Sequence, residues 1–542
     1  STRIRAGSRG FASGLPLLSS SSLETSGVIC RPGTSARHVG MSLQHRLMQY
    51  RWPVRMAVLF GLGVAAGLGQ VPWSLWPLSL MASALAIALV GAVRGIRQIA
   101  LAGWFFGLGH FALALHWIVQ PFLVDVARHG WMAPFALVLM AGGMALFWAA
   151  GFGIASALGR GRASPFGIVA GLGLAEIARS LLLTGFPWAL PGHIWIGTPI
   201  SQLAAYVGPH GLTLVTLGLA ALVVVTWLRV WLLAPVVGFV LAWFGLAPGV
   251  APPVPPDAPI VRLVQPNAAQ DQKFVPGFAE VFVRRLLELT AKGGEDAVEG
   301  QRPDLVVWPE TAVPWLLEHS AGVLAQTAAA ADGVPVVLGV QRREGARYFN
   351  SLVVTDEAGG IAAQYDKWHL VPFGEYMPLG EIMGRFGIHG LAASEGGGFS
   401  RGPGPGLVSI PGIGQAMPLI CYEGIFAEEV NAVPERPRLL LLITNDAWFG
   451  GWAGPAQHFG LAQLRAIEQG LPLVRVANTG ISGMIDPKGR VTGRMALGVK
   501  GAQDVVLPSA LRPTVYARFG NWPVFILLLA LALVVFRRPV GD

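Results

Sequence analysis

Long apolar runs dominate the first half of the chain, and short ones the second. Between Val54 and Ala247 the hydrophobic stretches cover residues 54–70, 73–93, 99–119, 131–158, 166–184, 206–227 and 230–247, separated by brief polar breaks. Each is near the length at which a helix crosses a hydrocarbon core of about 30 Å. An eighth run, NWPVFILLLALALVVF, precedes Arg537 and Arg538. From Ile260 to about Pro508 the texture changes to short β-branched and aliphatic runs, among them IVRLVQPN, DLVVWPE, VPVVLGV, YFNSLVVTD, AMPLICYE, LLLLITNDAW and LPLVRVAN. Helical periodicity returns in FAEVFVRRLLELTAK and AQHFGLAQLRAIEQG. Such runs predict strands buried on both faces, and their alternation with helices predicts a layered α/β domain. The expected fold class is a multi-pass α-helical membrane domain with eight transmembrane helices plus an α/β domain inserted before the last helix.

The pattern divides the chain into an N-terminal extension over 1–40, a membrane domain with seven spans over 41–250, a linker over 251–259, an α/β domain over 260–510, and a last span with its tail over 511–542. The linker, APPVPPDAP, should be extended. Residues 1–40 are rich in Ser, Gly and Arg and are expected to be disordered. The segment MSLQHRLMQYRWPVRM from Met41 reads as the natural start, so the extension is taken as foreign to the native chain rather than as a transit peptide. Basic residues flank alternate spans: Arg46, Arg51 and Arg55, then Arg94 and Arg97, Arg160 and Arg162, Arg229, and Arg537 and Arg538. The intervening loops, such as GQVPWS and GFPWALPGHIW, carry almost none, with Arg128 the exception. Because Lys and Arg gather in cytoplasmic loops, both termini are expected in the cytoplasm and the α/β domain on the far side, periplasmic in a bacterium.

Composition agrees with a membrane protein: 13% of residues are charged and 53% hydrophobic, with 18 Trp and 26 Phe. The formal charge of +9 comes without a dense Lys/Arg run, which argues against nucleic-acid binding. Two cysteines, Cys30 and Cys421, exclude a disulfide scaffold and a zinc site, and Cys421 is expected to be a free thiol. No HExxH, GxGxxG or P-loop pattern stands in the right context, so no metal or other cofactor is implied. His369 and His458 read as structural. Glu176 and Arg179 share a helix face and read as a structural ion pair rather than a lipid-headgroup site. The Gly-rich GLAASEGGGFSRGPGPG, residues 390–406, has the composition of a mobile loop; with Phe386 and Ile388 it reads equally as a lid dipping into lipid or an ordinary solvent loop. Trp448 is a lid or pocket residue, or an interfacial anchor.

Three stretches end an apolar run with a reactive group: LVVWPE at Glu310, AAQYDKWHLVPFGEYMP with Lys367 and Glu375, and PLICYEG with Cys421. An acid, an amine and a thiol make a workable set for acyl transfer, in which the carboxylate takes the thiol proton, the thiolate attacks a carbonyl and the ammonium faces the oxyanion. Taken singly, a strand Cys is more often an inert core residue, and a lone Glu or Lys is usually solvated. Spacing alone leaves both readings open.

The motifs WPE, YDKWHLVPFGEYMP, CYEGIF and TNDAWFG resemble the nitrilase superfamily with its Glu-Lys-Cys triad. Joined to seven preceding spans and one following, they make the chain from about Arg46 onward similar to the apolipoprotein N-acyltransferase family, TGFPW and YARFGNWP included. The resemblance implies a nitrilase-like αββα sandwich. It implies Cys421 as nucleophile toward a phospholipid ester, Glu310 as general base, and Lys367, with the Tyr422 backbone N–H, on the oxyanion. Glu375, Tyr422 and Glu423 match positions that support the triad or place substrate. The acyl group would pass through a thioester to the N-terminal amine of a diacylglyceryl-cysteine apolipoprotein, at the inner membrane of a bacterium, and a monomer is expected. Two alternatives stay open: a membrane-bound amidase or esterase that passes the acyl group to water, and a transporter or scaffold without catalysis, which would predict a damaged triad.

Overall fold

In the computed structural model, which describes residues 52–226, 257–293, 302–378 and 398–537 except 274 and 276, together with 238, 242–247 and 255, the apolar runs of the first half are helices. They are α1 (Trp52–Gly67), α2 (Trp76–Gly91), α3 (Ile96–Ala114), α4 (Ala133–Leu158), α5 (Pro165–Leu181) and α6 (Ala204–Thr226). The extension 1–40, most of the run 230–247, most of the linker, and residues 379–397, which include Phe386, Ile388 and the first part of the Gly-rich stretch 390–406, lie outside the described residues. Among the described residues, three helical stretches are long and apolar enough to cross a membrane: Val126–Leu158, Pro165–Thr184 and Pro199–Thr226. A fourth is reached if α3 and its continuation His116–Leu123, bent by 48°, are one span. Helices α1 and α2 are equally apolar but 16 residues long, roughly 24 Å at about 1.5 Å per residue.

Small residues let these helices approach closely. A Cβ on Gly63 of α1 would stand 2.0 Å from the Phe106 carbonyl oxygen of α3, and one on Gly171 of α5 would stand 2.1 Å from the Gly151 carbonyl of α4. Without a hydrophobic drive between helices in lipid, such backbone contact is what holds them.

In the second half, side-chain alternation decides the layers. The strands are β1 (Ile260–Gln265), β2 (Leu305–Val307), β3 (Val313–Leu316), β4 (Val336–Glu344), β5 (Arg347–Thr355), β6 (Ile361–Asp366), β7 (Val408–Ile410), β8 (Gly414–Ile420), β9 (Leu439–Thr444), β10 (Leu473–Ala477), β11 (Ser482–Ile485), β12 (Val491–Met495) and β13 (Gly501–Val506). They form a seven-stranded sheet ordered β13-β1-β2-β4-β5-β6, with β3 on β4, and a six-stranded sheet ordered β12-β11-β10-β9-β8-β7. In β9, Leu439, Leu441 and Ile443 face the other sheet, where they meet Leu305, Val307, Val337 and Leu352. Leu440 and Leu442 point outward onto α9 (Ala453–Gln469), against Phe459, Ala462 and Ala466. The outer face of the first sheet is covered by α7 (Phe278–Lys292) and α8 (Ala321–Ala330), through Leu286 and Leu324. The result is a four-layer αββα sandwich whose period-2 strands are buried on both faces.

Helix α10 (Trp522–Arg537) returns the chain to the first half and lies on α5, where a Cβ on Gly173 would meet Leu528 at 2.6 Å. The two halves share one apolar cluster: Tyr422, Ile425, Phe426, Leu461 and Leu464 of the sandwich pack with Trp117, Trp188 and Ile194 of the helical half.

Candidate active site

Four strand ends supply the polar groups. Glu310 follows β2 by way of Trp308 and Pro309, Lys367 directly follows β6, Cys421 directly follows β8, and Thr444 closes β9 ahead of Asn445 and Asp446. Because β8 and β9 are parallel, their ends reach the same edge, where open α/β sheets hold ligands.

Glu310, Lys367 and Glu375 are buried together. The Lys367 Nζ lies 2.9 Å from Glu375 Oε1 and 3.6 Å from Glu310 Oε1. Asn350, from mid-β5, donates its Nδ2 to Glu310 Oε1 at 2.7 Å and to Glu375 Oε1 at 3.1 Å. The other Glu310 oxygen accepts the Asn445 N–H at 2.8 Å, and the other Glu375 oxygen accepts the Val371 N–H at 2.8 Å. Burial works against the charge on Lys367, but Glu375, Glu310 and Cys421 outweigh it and hold its pKa above the ordinary value. The amine is therefore a fixed cation. A second buried lysine, Lys273, donates to the Glu310 backbone carbonyl at 3.2 Å; burial pulls its pKa down to about 8, against Glu310.

Cys421 is 6% exposed and has a φ of 53°, in the left-handed region that costs a non-glycine residue roughly 1–3 kcal/mol. It opens the short turn Cys421–Ile425, and Glu423 holds that turn down. The Glu423 Oε2 accepts the Ile420 N–H at 2.7 Å, while its Oε1 accepts the Tyr365 hydroxyl at 2.7 Å and the N–H groups of Trp368 and His369 at 2.7 and 3.2 Å. One carboxylate thus ties the thiol's turn to the segment that carries Lys367. Burial raises the Glu423 pKa to about 7 despite these donors.

Burial also pushes the Cys421 thiol up, and Glu310 adds to the shift while Lys367 opposes it. The resting sulfur is a protonated thiol, which needs a base before it can attack. The Thr444 hydroxyl, which donates to Asp446 Oδ1 at 2.9 Å, also works against the upward shift. Behind the thiol, His458 Nε2 lies 3.2 Å from the Cys421 carbonyl oxygen and its Nδ1 2.9 Å from Asp446 Oδ1. Arg475 reaches Asp446 Oδ2 at 2.6 Å, and with Arg475 and His458 beside it Asp446 keeps a pKa of about 2 despite burial.

The Tyr422 hydroxyl donates to the Gly185 carbonyl at 3.3 Å, so the residue after the thiol is anchored in the helical half. Trp448 is half-buried on the turn Asp446–Phe449, and its neighbour Phe449 packs on Trp117 and Trp188 with centroids 5.0 and 5.8 Å apart. The described part of the Gly-rich region differs from a mobile loop. Phe399, Ser400 and Gly402 donate their N–H groups to the carbonyls of Glu375, Tyr348 and Lys367 at 2.8, 2.7 and 2.9 Å. A Cβ on Gly402 would stand 2.1 Å from the Asp366 carbonyl oxygen, so this glycine serves close approach to the site's own backbone.

Sequence reasoning passed over Asn350, and it quoted Thr444, Asn445 and Asp446 within TNDAWFG without giving them a role. The last three carry the same signal that singled out Cys421, polar residues closing the apolar run LLLLI; Asn350, inside a strand, carries none.

Residues 62–222 match the apolipoprotein N-acyltransferase N-terminal domain, and residues 261–508 match the carbon-nitrogen hydrolase domain. The chain is 36% identical over 521 residues to an apolipoprotein N-acyltransferase of Rhodopseudomonas palustris, covering 91% of this chain and 97% of the relative. It is 35% identical over 523 residues to the protein of that name from Bradyrhizobium diazoefficiens, at 92% and 97% coverage. The Caulobacter vibrioides counterpart is 36% identical over 514 residues, at 89% and 94%.

Proposed function

The chain belongs to the apolipoprotein N-acyltransferase family and is an acyltransferase, and we propose that it moves an acyl chain from a phospholipid to a lipoprotein N-terminus by way of a thioester on Cys421. The observation that carries this reading is the Lys367 cation, 3.6 Å from Glu310 and in electrostatic contact with a buried, protonated Cys421 at the ends of separate strands.

Glu310 takes the Cys421 proton as the sulfur attacks the ester carbonyl of the donor. The Lys367 ammonium and the Tyr422 N–H face the oxyanion as it forms. Glu310 returns the proton to the glycerol oxygen, which leaves as a lysophospholipid, and the acyl group stays on sulfur. The free α-amine of a diacylglyceryl-cysteine then attacks the thioester; Glu310 takes the amine proton, and the thiolate leaves and is reprotonated. Division into two steps predicts ping-pong kinetics. Glu375 and Asn350 hold Lys367 and Glu310 in register, and Glu423 holds the turn of Cys421.

The same reading places the chain in a bacterial inner membrane with eight spans, α1 to α6, the run 230–247 and α10, with both termini cytoplasmic and the sandwich, 260–510, on the periplasmic side. Support comes from the alternation of Arg-rich and Arg-poor loops and from lipid-embedded substrates that a membrane-tethered domain meets in two dimensions. The hydrolase and scaffold alternatives are not favoured.

Intact mass of the purified protein mixed with phospholipid alone tests the mechanism. A hydroxylamine-sensitive acyl adduct on Cys421, moving to an added diacylglyceryl-cysteine peptide, is expected. An adduct lost to water with the peptide unchanged would overturn it.

A further inference from the structure

Helix α5 carries two fully buried charges, Glu176 and Arg179, at 0% and 1% exposure. Trp148 Nε1 donates to Glu176 Oε1, and Arg179 meets the same carboxylate through Nη2 to Oε2 at 2.5 Å and Nε to Oε1 at 3.3 Å. A plain neutralising pair would end there. The remaining edge of the guanidinium does more: Nη1 donates to the Phe186 carbonyl at 2.5 Å and to the Trp188 carbonyl at 3.0 Å. These two carbonyls belong to the segment that turns back over the end of α5, which Phe186 N–H also closes onto the Arg179 carbonyl at 3.0 Å.

Both routes out of that segment lead to Cys421. The Gly185 carbonyl accepts the Tyr422 hydroxyl, and the Phe186 ring stacks on Tyr422 at 6.5 Å and 27°. Trp188 Nε1 donates to Gln457 Oε1 at 2.7 Å, one residue before His458, and its ring lies 5.6 Å from the His458 ring. His458 in turn touches the Cys421 carbonyl. The Cys421–Tyr422 peptide group, which follows the Cys421 α-carbon strained at positive φ, is therefore braced from the helical half, at its carbonyl by His458 and through the Tyr422 side chain.

We propose that Arg179 is a positioning residue for the nucleophile: its fork onto the carbonyls of Phe186 and Trp188, oriented by Glu176, fixes the seat of Tyr422 and His458 and so the attitude of Cys421 and the Tyr422 N–H. The proposal rests on the thioester reading above. Lysine carries the same charge but a single nitrogen, so it can satisfy Glu176 and cannot also span two carbonyls.

The test compares wild-type, R179K and R179Q full-length protein in micelles containing a synthetic diacyl phospholipid. Initial acylation of Cys421 is followed by intact mass, with alkylation by iodoacetamide measured without lipid. Both variants are expected to acylate about tenfold to a hundredfold more slowly at unchanged KM for phospholipid, the scale of a misplaced reacting group. Alkylation should move the other way, several-fold faster, because a loosened turn relieves the burial that raises the thiol's pKa. R179K acylating at the wild-type rate overturns the proposal, since neutralisation of Glu176 would then be the whole role. Should the Arg179 variants fail to accumulate, the double variant W188F/Y422F, which keeps an aromatic ring at each position and loses both polar tethers, carries the same expectation, and wild-type kinetics in it would refute the proposal. A wild-type protein that forms no acyl adduct sinks the thioester reading instead, and the positioning role is then decided by alkylation rates alone.

Discussion

The two sides of the site are built from different material. The acid and amine, Glu310 and Lys367, are braced within the sandwich, by Asn350 from β5, Asn445 after β9 and Glu375. The thiol is braced across the boundary: Glu423 ties its turn to the sandwich, whereas Tyr422 and His458 lean on Gly185 and Trp188 of the helical half. The first half-site has what a water-soluble α/β enzyme would need. The second is complete only where the helices are present, so the helical half is part of the site's geometry as well as its anchor.

The largest expected effect erases the comparison. C421S and C421A should lower acyl transfer by at least about 10⁴-fold, the scale on which removing a nucleophile acts, with the protein still recovered from the membrane fraction. Full activity in either would remove the thiol side altogether. Next, N350A should strike the acid–amine side alone. With the donor to both Glu310 and Glu375 gone, turnover should fall about 10²-fold while iodoacetamide alkylation of Cys421 stays at the wild-type rate.

A pH experiment addresses the tie between the sides. Glu423 has a folded pKa raised by burial to about 7 from an ordinary 4.5, so the folded protein keeps a proton that the unfolded chain gives up between those values. The stability it contributes is full below about pH 4.5 and is lost as pH rises through 7, amounting to at most about 3 kcal/mol. Thermal unfolding of the wild type should therefore show a midpoint falling from pH 5 to 7, and E423Q should flatten that slope. An unchanged slope in E423Q would mean that the carboxylate is already ionised, held by its four donors. The smallest effect belongs to W188F. Losing the indole N–H toward Gln457 removes one hydrogen bond, about 1 kcal/mol, and should slow acylation about fivefold while, unlike in N350A, alkylation of Cys421 quickens.

Much of this was legible in the chain. The strands β1, β2, β4, β5, β8, β9 and β10 lie on apolar runs recognisable by eye, and α7 and α9 on amphipathic ones. Short edge strands such as β7 and β12 were not visible, because a strand with few neighbours needs little apolar pattern. In the site, Glu310, Lys367, Glu375 and Cys421 stand out as polar groups closing apolar runs, while Glu423 entered only through the family resemblance. Asn350 sits in the middle of β5, where a buried amide is explained only by what lies across from it. Gln457 and Trp188 are 269 positions apart, and no local pattern carries a contact at that separation. Glycine content alone does not show that the glycines at 398 and 402 serve as close contacts with the backbones of Glu375 and Asp366.

Strand β1 pairs with β13 so that Ile260 stands opposite Val506, the first residue of one against the last of the other. The chain thus goes into the sandwich and comes out of it at neighbouring points on one sheet edge, as a loop does. A module with such adjoining ends can be spliced into a short connection between two helices without stretching either side. By this geometry a sandwich can be exchanged between helical bundles by cutting at that one pair.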